Sequence, residues 1–125
     1  MSRGGIQKEI VESAAVGLGD NDFETGIINI PAKGKIEKGT VLKRENGKFV
    51  PVTDTENEKP IAVNPFDILN MRAENADMSI RAIISGRVRA DLLTVDGNAT
   101  TGAQNDMLRD FGIIPIKTND ISHIE

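Results

Sequence analysis

Residues Gly39–Val52 read GTVLKRENGKFVPV. An Asn-Gly pair between two apolar-bearing runs is the strongest short-range signal for a β-hairpin, because a type I′ turn needs positive φ at both central residues. With Asn46-Gly47 at the tip, Glu45 faces Lys48, Arg44 faces Phe49, Lys43 faces Val50 and Val41 faces Val52. Glu45 opposite Lys48 predicts a cross-strand charge pair. Pro51 cannot donate a ladder bond, which predicts a sheet edge on its side. No catalytic group lies on the hairpin, so it reads as scaffold.

Short strands are predicted on both sides of it. Upstream, GIINIP (Gly26–Pro31) is β-rich and closed by Pro31, and AKGKIEKG is a loop carrying lysines. Downstream, TDTENEKP is a polar connection, IAVNPF (Ile61–Phe66) a short strand stopped by Pro65, and MSIRAIISGRV the longest strand. Strict alternation along that strand puts Ile80, Ala82 and Ile84 on one face and Arg81, Ile83 and Ser85 on the other. Gly86 predicts a bulge or bend. VRADLL is expected to hold a helical turn, and TVDGNATTG a loop.

The last element is helical. Thr100 or Thr101 can cap it. Ala103, Met107 and Phe111 lie four apart with Leu108 alongside, which predicts one apolar stripe with Phe111 as a core anchor. Gly112 stands where a left-handed residue ends a helix, and Ile113 and Ile114 return to extended chain. Residues 1–22 differ in composition, with Gly, Ser, Ala and charged residues prominent. Ile6, Ile10, Ala14 and Leu18 fall four apart, so this segment is expected to be disordered or weakly helical when free. The fold class expected is α+β, mainly β: one small domain of short antiparallel strands with one C-terminal helix, divided into an arm (1–22) and a body (23–125).

Composition narrows the function classes. The chain has 125 residues, which favours one domain. It has four Phe and neither Trp nor Tyr, few stacking platforms for a single-stranded nucleic acid. A net charge of −4 argues against a phosphate-binding surface. With no cysteine, disulfides and Cys-based zinc sites are excluded. No stretch approaches the ~20 apolar residues of a membrane span, and MSRGGIQKEIVES lacks the apolar run of a secretory signal. The chain is therefore expected to be made in the cytosol, with no contact to nucleic acid or membrane.

Candidate chemistry is sparse. His123, the sole histidine, stands two residues from the end of the sequence, a poor place for a triad member. DNDFETG (Asp20–Gly26) begins like a calcium loop, but its sixth position is Thr25 and its twelfth Pro31, where Gly and Glu are required. A solvated acidic turn is expected there. GKIEKGTV lacks the Lys-Ser/Thr pair of a phosphate loop, and GLGD (Gly17–Asp20) has no strand before it. NAT (Asn98–Thr100) is a glycosylation sequon by pattern alone. Lys33, Lys35, Lys38, Lys43 and Arg44 cluster in sequence, as solvating charge or as a contact for an acidic protein surface. No enzyme activity, cofactor or metal is expected.

The order of these elements resembles the lambda-type head decoration proteins of tailed bacteriophages. That family has a GTVL-type strand followed by G-K-(Y/F)-V-P, matched by Gly39-Thr40-Val41-Leu42 and Gly47-Lys48-Phe49-Val50-Pro51. An A-V strand ending near an Asp is matched by Ala62-Val63 and Asp67, and an apolar strand followed by V-x-x-x-x-L by Val88 and Leu93. The closing helix, running into L-x-x-x-G-I, is matched by Leu108 and Gly112-Ile113. Two departures are a longer N-terminal part and the continuation through Lys117–Glu125. The resemblance implies a homotrimer on three-fold positions of the expanded shell, on the exterior of a virion made in a bacterial cytoplasm. Its partner would be the major capsid protein, which the arm would join by adding a strand to coat-protein sheet. Strand addition needs side chains that fill pockets on the acceptor, so Ile6, Ile10, Val11 and Val16 are the expected capsid-binding anchors. GKIEKGTVLKRENGKFV also looks like the hairpins of lipoyl or biotinyl carrier domains, with Lys48 near the tight turn, but the residues flanking the lysine do not match.

Overall fold

The structure, a computed structural model, describes residues 15–53 and 59–117. Strands β1 (Asp22–Ile30), β3 (Val41–Glu45), β4 (Lys48–Pro51), β5 (Ala62–Val63) and β7 (Ala76–Arg89) pair in the order β1-β4-β3-β5-β7. A long antiparallel pairing of β1 with β7 closes the ring into a barrel-like sheet. Strand β10 (Ile113–Ile116) adds in parallel to the far end of β7. Two small ribbons, β2 (Lys35–Ile36) with β6 (Ile68–Leu69) and β8 (Thr94–Val95) with β9 (Asn98–Ala99), complete the β-structure. One helix, α1 (Gly102–Asp110), and a 3-10 turn at Ala90–Leu92 follow β7. The fold class expected from the sequence, mainly β with one helix near the C-terminus, is the one found among the described residues.

The hairpin has the predicted register: Glu45 opposite Lys48, Arg44 opposite Phe49 and Lys43 opposite Val50. Asn46 and Gly47 have φ of 52° and 79°, as a type I′ turn requires. The charges, however, go elsewhere. Glu45 pairs with Lys43 on its own strand, and Lys48 reaches Asp77 at 2.9 Å. The edge expected beside Pro51 is not found: β4 lies between β3 and β1, although a single bridge, Ile28 with Phe49, joins it to β1.

Two hydrophobic cores share one wall. Val41 pairs with Val63 and Val63 with Ile83, while Leu42 pairs with Ala62. Neighbours along a strand point to opposite faces, and the two rows fall into different clusters. The inner cluster joins Ile28, Ile30, Leu42, Phe49, Ala62, Ile80 and Ala82, from all five barrel strands. The outer cluster joins Val41, Val63, Ile83 and Val88 to Val16, Leu93, Val95, Leu108 and Ile113. The wall β3-β5-β7 is therefore covered on both faces. Inside, Phe49 lies so close to β1 that a Cβ on Gly26 would stand 2.4 Å from its ring.

The alternation expected along β7 is found: Ile80, Ala82 and Ile84 face the inner cluster and Ile83 the outer one, where it is fully buried because that face is covered too. A register shift opposite Asp22 and Phe23 supplies the extra residue in β7, next to Gly86 with φ of 103°. The helix, by contrast, buries less than its stripe predicts. Leu108 is its one buried residue, whereas Phe111 is the C-cap and 42% exposed. Thr101 is the N-cap, in a reciprocal capping box with Gln104.

Three further differences concern loops and boundaries. Asp22–Gly26, expected in an acidic turn, form the first half of β1. The loop expected at TVDGNATTG contains the β8–β9 hairpin, with Asp96 and Gly97 at positive φ. The arm boundary at Asp22 is also corrected. Residues 16–18 lie antiparallel to β7, with the Leu18 N–H donating to Arg87 O at 3.0 Å and the Arg89 N–H donating to Val16 O at 2.8 Å. Val16 is 1% exposed. The segment was read as leader on its composition, which does not reveal that Val16 is committed to the core.

Two predictions follow from this packing. Leu108→Ala should cost about 2–5 kcal/mol, because Leu108 is fully buried between helix and wall. Phe111→Ala should cost well under about 1 kcal/mol, so thermal melts of the two variants separate a core residue from an exposed cap. The second concerns Asp77, whose carboxyl is held below its ordinary 3.8 by hydrogen bonds from Asn29 and Lys48 and by the Lys48 charge. A lowered carboxyl contributes stability above its ordinary range and loses it as pH falls through the lowered value. Asp77→Asn should therefore make the acid limb of unfolding shallower below pH 3.8, as read by melting temperature against pH.

Candidate interaction surface

The expected anchors separate. Ile6, Ile10 and Val11 lie outside the described residues. Val16 is in the outer core, so it is not available to a partner and is withdrawn as an anchor. His123 also lies outside the described residues. Lys48 is the first residue of β4 and is engaged with Asp77. Among the described residues, no group of three or more His, Asp or Glu is placed to hold a metal. No helix among them is long and apolar enough to cross a membrane. One open cleft of mixed charge is lined by Glu24, Lys43, Arg44, Glu45, Lys59 and Ile61, and Arg44 pairs with Glu24 across it; a small apolar cavity lies between Leu108 of the helix and Val41 of the wall.

The unusual surface is elsewhere. Phe66, Leu69 and Met71 are 67%, 55% and 73% exposed within one short segment. A flexible loop could show such residues without meaning, but this segment is held from within by two buried asparagines. The Asn64 Nδ2 donates to the carbonyls of Ile36, Glu37 and Phe66, and its residue is 0% exposed. The Asn70 Nδ2 donates to the carbonyls of Ile30, Pro31 and Glu74 at 2.9–3.0 Å, and its Oδ1 accepts from the Arg72 N–H. Backbone bonds from Lys33 to Arg72 O and from Asn70 to Gly34 O tie the same segment to the β1–β2 loop. The Lys33 Nζ donates to Met71 O at 2.8 Å, and the Ala32 N–H to Asn75 Oδ1 at 3.0 Å. The segment is thus ordered in the free body, and a partner docking on Phe66, Leu69 and Met71 meets no further loop-ordering cost.

Sequence reasoning missed this platform. It read NPF as a strand end and left residues 67–75 unassigned. The one available signal was Asn64 and Asn70, six residues apart among Phe66, Leu69 and Met71, and asparagine is usually exposed.

The positions of the chain ends are the second feature. Val16 meets Arg89 from one edge of β7, and Ile116 is in register with Arg89 from the other. Val16 and Ile116 therefore lie at one pole of the body, about two strand spacings apart (~10 Å). The hairpin tip lies towards the other pole, since Lys48 touches Asp77 near the start of β7 while Arg89 ends it. Comparison with known proteins returns no matching family model and no matching curated protein.

Asn70→Asp tests the platform's internal support. It replaces a donor to three carbonyls with an anion, and one buried unsatisfied group already costs about 1–3 kcal/mol. The expected result is a lower melting temperature together with faster tryptic cleavage after Arg72. Unchanged cleavage would mean that the asparagine does not hold the segment.

Proposed function

We propose that the chain is a capsid decoration protein, binding as a homotrimer at three-fold positions on the exterior of an expanded phage or prophage head. The observation that carries this reading is the ordered run of strands from GTVL and GKFVP through Ala62-Val63 and Val88 to the helix ending at Gly112-Ile113. In the body these segments form one unit: the hairpin, the double-faced wall and the helix that covers it. Such a body suits a clamp, since its barrel is closed and its wall is packed on both faces.

The work of the protein is then mechanical. Residues 1–14 join the coat-protein sheet as an added strand, with Ile6, Ile10 and Val11 filling pockets on the acceptor. Ordering that segment costs about 1–2 kcal/mol of backbone entropy per residue, which main-chain hydrogen bonds to the coat protein offset. Three arms on one trimer raise the effective concentration of each once the first is bound. With Val16 and Ile116 both beside Arg89, that pole is the one assigned to the shell, and the Asn46-Gly47 tip faces away from it. The major capsid protein is the partner; neither nucleic acid nor membrane is required.

Two truncations test this. Removal of residues 1–14 should abolish shell binding, read by co-sedimentation with expanded shells, and leave the melting temperature unchanged. Removal of residues 1–22 should also lower the melting temperature, because it deletes Val16 from the outer core. Full shell occupancy by the shorter truncation would contradict the arm mechanism.

A further inference from the structure

Asn46-Gly47 is the only Asn-Gly pair in the chain. The type I′ turn accounts for its positive φ values, but the two residues also carry groups that react with one another. The carbonyl carbon of a side-chain amide is a weak electrophile, and the N–H of the next residue is the backbone nucleophile closest to it. Ordinarily a bulky side chain on that next residue, or hydrogen bonds on either group, keep them apart. Glycine removes the first obstacle.

The fold leaves out the second. Neither the Asn46 side chain nor the Gly47 N–H makes a hydrogen bond among the described residues. Both residues are exposed, and nothing lies within 4 Å of where a Gly47 Cβ would stand. Glu45 and Lys48 close the ladder, so the Gly47 N–H lies inside the loop, free of the strands. Every other described asparagine has its side chain in a hydrogen bond. Asn64 and Asn70 each reach three carbonyls, Asn29 reaches Asp77, Asn105 accepts from Thr100, and the rest are held likewise.

We infer that Asn46-Gly47 is a self-modifying site whose isoaspartyl product loosens β4 from the barrel. The Gly47 nitrogen attacks Asn46 Cγ. The new N–Cγ bond forms as the Cγ–Nδ2 bond breaks, and Nδ2 leaves as ammonia with the proton that Gly47 gives up. Water, the one co-reactant, then adds at either carbonyl carbon of the five-membered ring. Opening of the ring there yields aspartate or isoaspartate. Ring closure needs rotation about the Asn46 Cα–C bond out of the resting turn, so the hairpin slows the reaction without removing the reactants.

The position of the turn gives the product its effect. Isoaspartate routes the main chain through Cβ, which adds a methylene to a two-residue turn and a carboxylate to its surface. A longer tip no longer sets Glu45 opposite Lys48. Strand β4 depends on that register, because its ladder to β3 holds one edge while a single bridge, Ile28 with Phe49, holds the other. Phe49 is the one aromatic ring of the inner cluster, so slippage of β4 opens the barrel at this seam. The chemistry requires neither shell nor trimer.

The full chain, held in mildly alkaline buffer below its melting temperature, tests this. Peptide mass mapping should find NH exchanged for O at residue 46 before any other described asparagine. An isoaspartyl-specific carboxyl methyltransferase should label that peptide. The modified protein, separated by anion exchange as a more acidic species, should melt below the unmodified protein in proportion to its isoaspartyl content. Asn46→Gly keeps a pair that suits the turn and should come through the same incubation with its melting temperature unchanged. Asn46→Asp, freshly prepared, adds the charge without the methylene and should melt with the wild type. Asn46 left intact in folded protein while a urea-unfolded sample is converted would overturn the site, as would earlier conversion of another described asparagine. An isoaspartyl species that melts with the wild type, or an Asn46→Asp variant that melts as low as that species, would overturn the loosening.

Discussion

Burial of the β3-β5-β7 wall on both faces is the constraint on which this body depends. A barrel of five short strands encloses little volume, and its inner cluster holds one aromatic ring, Phe49. The outer cluster exists because the chain folds back over the wall with residues 16–18, the 3-10 turn region, α1 and β10. Val41 and Leu42, or Ala62 and Val63, are adjacent in sequence and yet fully buried, each in a different core. Paired runs of small branched residues therefore replace the large aromatic side chains that the composition lacks.

That arrangement fixes the two ends of the molecule. β7 is 14 residues long because its first part closes the barrel against β1 and its last part supports residues 16–18 and β10 on opposite edges. Gly86 and the register shift beside it let one strand serve both cores. Val16 and Ile116 then flank Arg89 at one pole, while the platform is held near the other by Asn64 and Asn70.

Much of the local structure was legible in the sequence, for identifiable reasons. Asn46-Gly47 needs positive φ, which sets the hairpin register residue by residue. Thr101, Gln104 and Gly112 bracket a helix by their chemistry at its ends. The same turn rule applied to Asp96-Gly97 would have found the β8–β9 hairpin. What the sequence hid is tertiary. Period-two reasoning set Ile83 on the face opposite Ile80, Ala82 and Ile84, but it gives no sign that this second face is also buried, against the cluster that holds Val16. The helix stripe was right in period, but Phe111 falls at the cap, beyond the part of the helix that meets the wall. Val16 gave no sign of its role, because a single buried valine in a Gly-rich run carries no periodicity. The platform was invisible because its support comes from two asparagine side chains bonding carbonyls distant in sequence. Of the expected anchors, Ile6, Ile10 and Val11 remain part of the proposed arm, and Val16 belongs to the body.

We propose that this barrel is a trimeric clamp on an expanded shell. The most direct test is an image reconstruction of shells of the matching coat protein, expanded and unexpanded, after incubation with the purified protein. The account predicts three-lobed density at the three-fold positions of expanded shells, with the Arg89 pole towards the coat protein, and none on unexpanded shells. Expanded shells left bare at saturating protein, or density of any other symmetry, would contradict it.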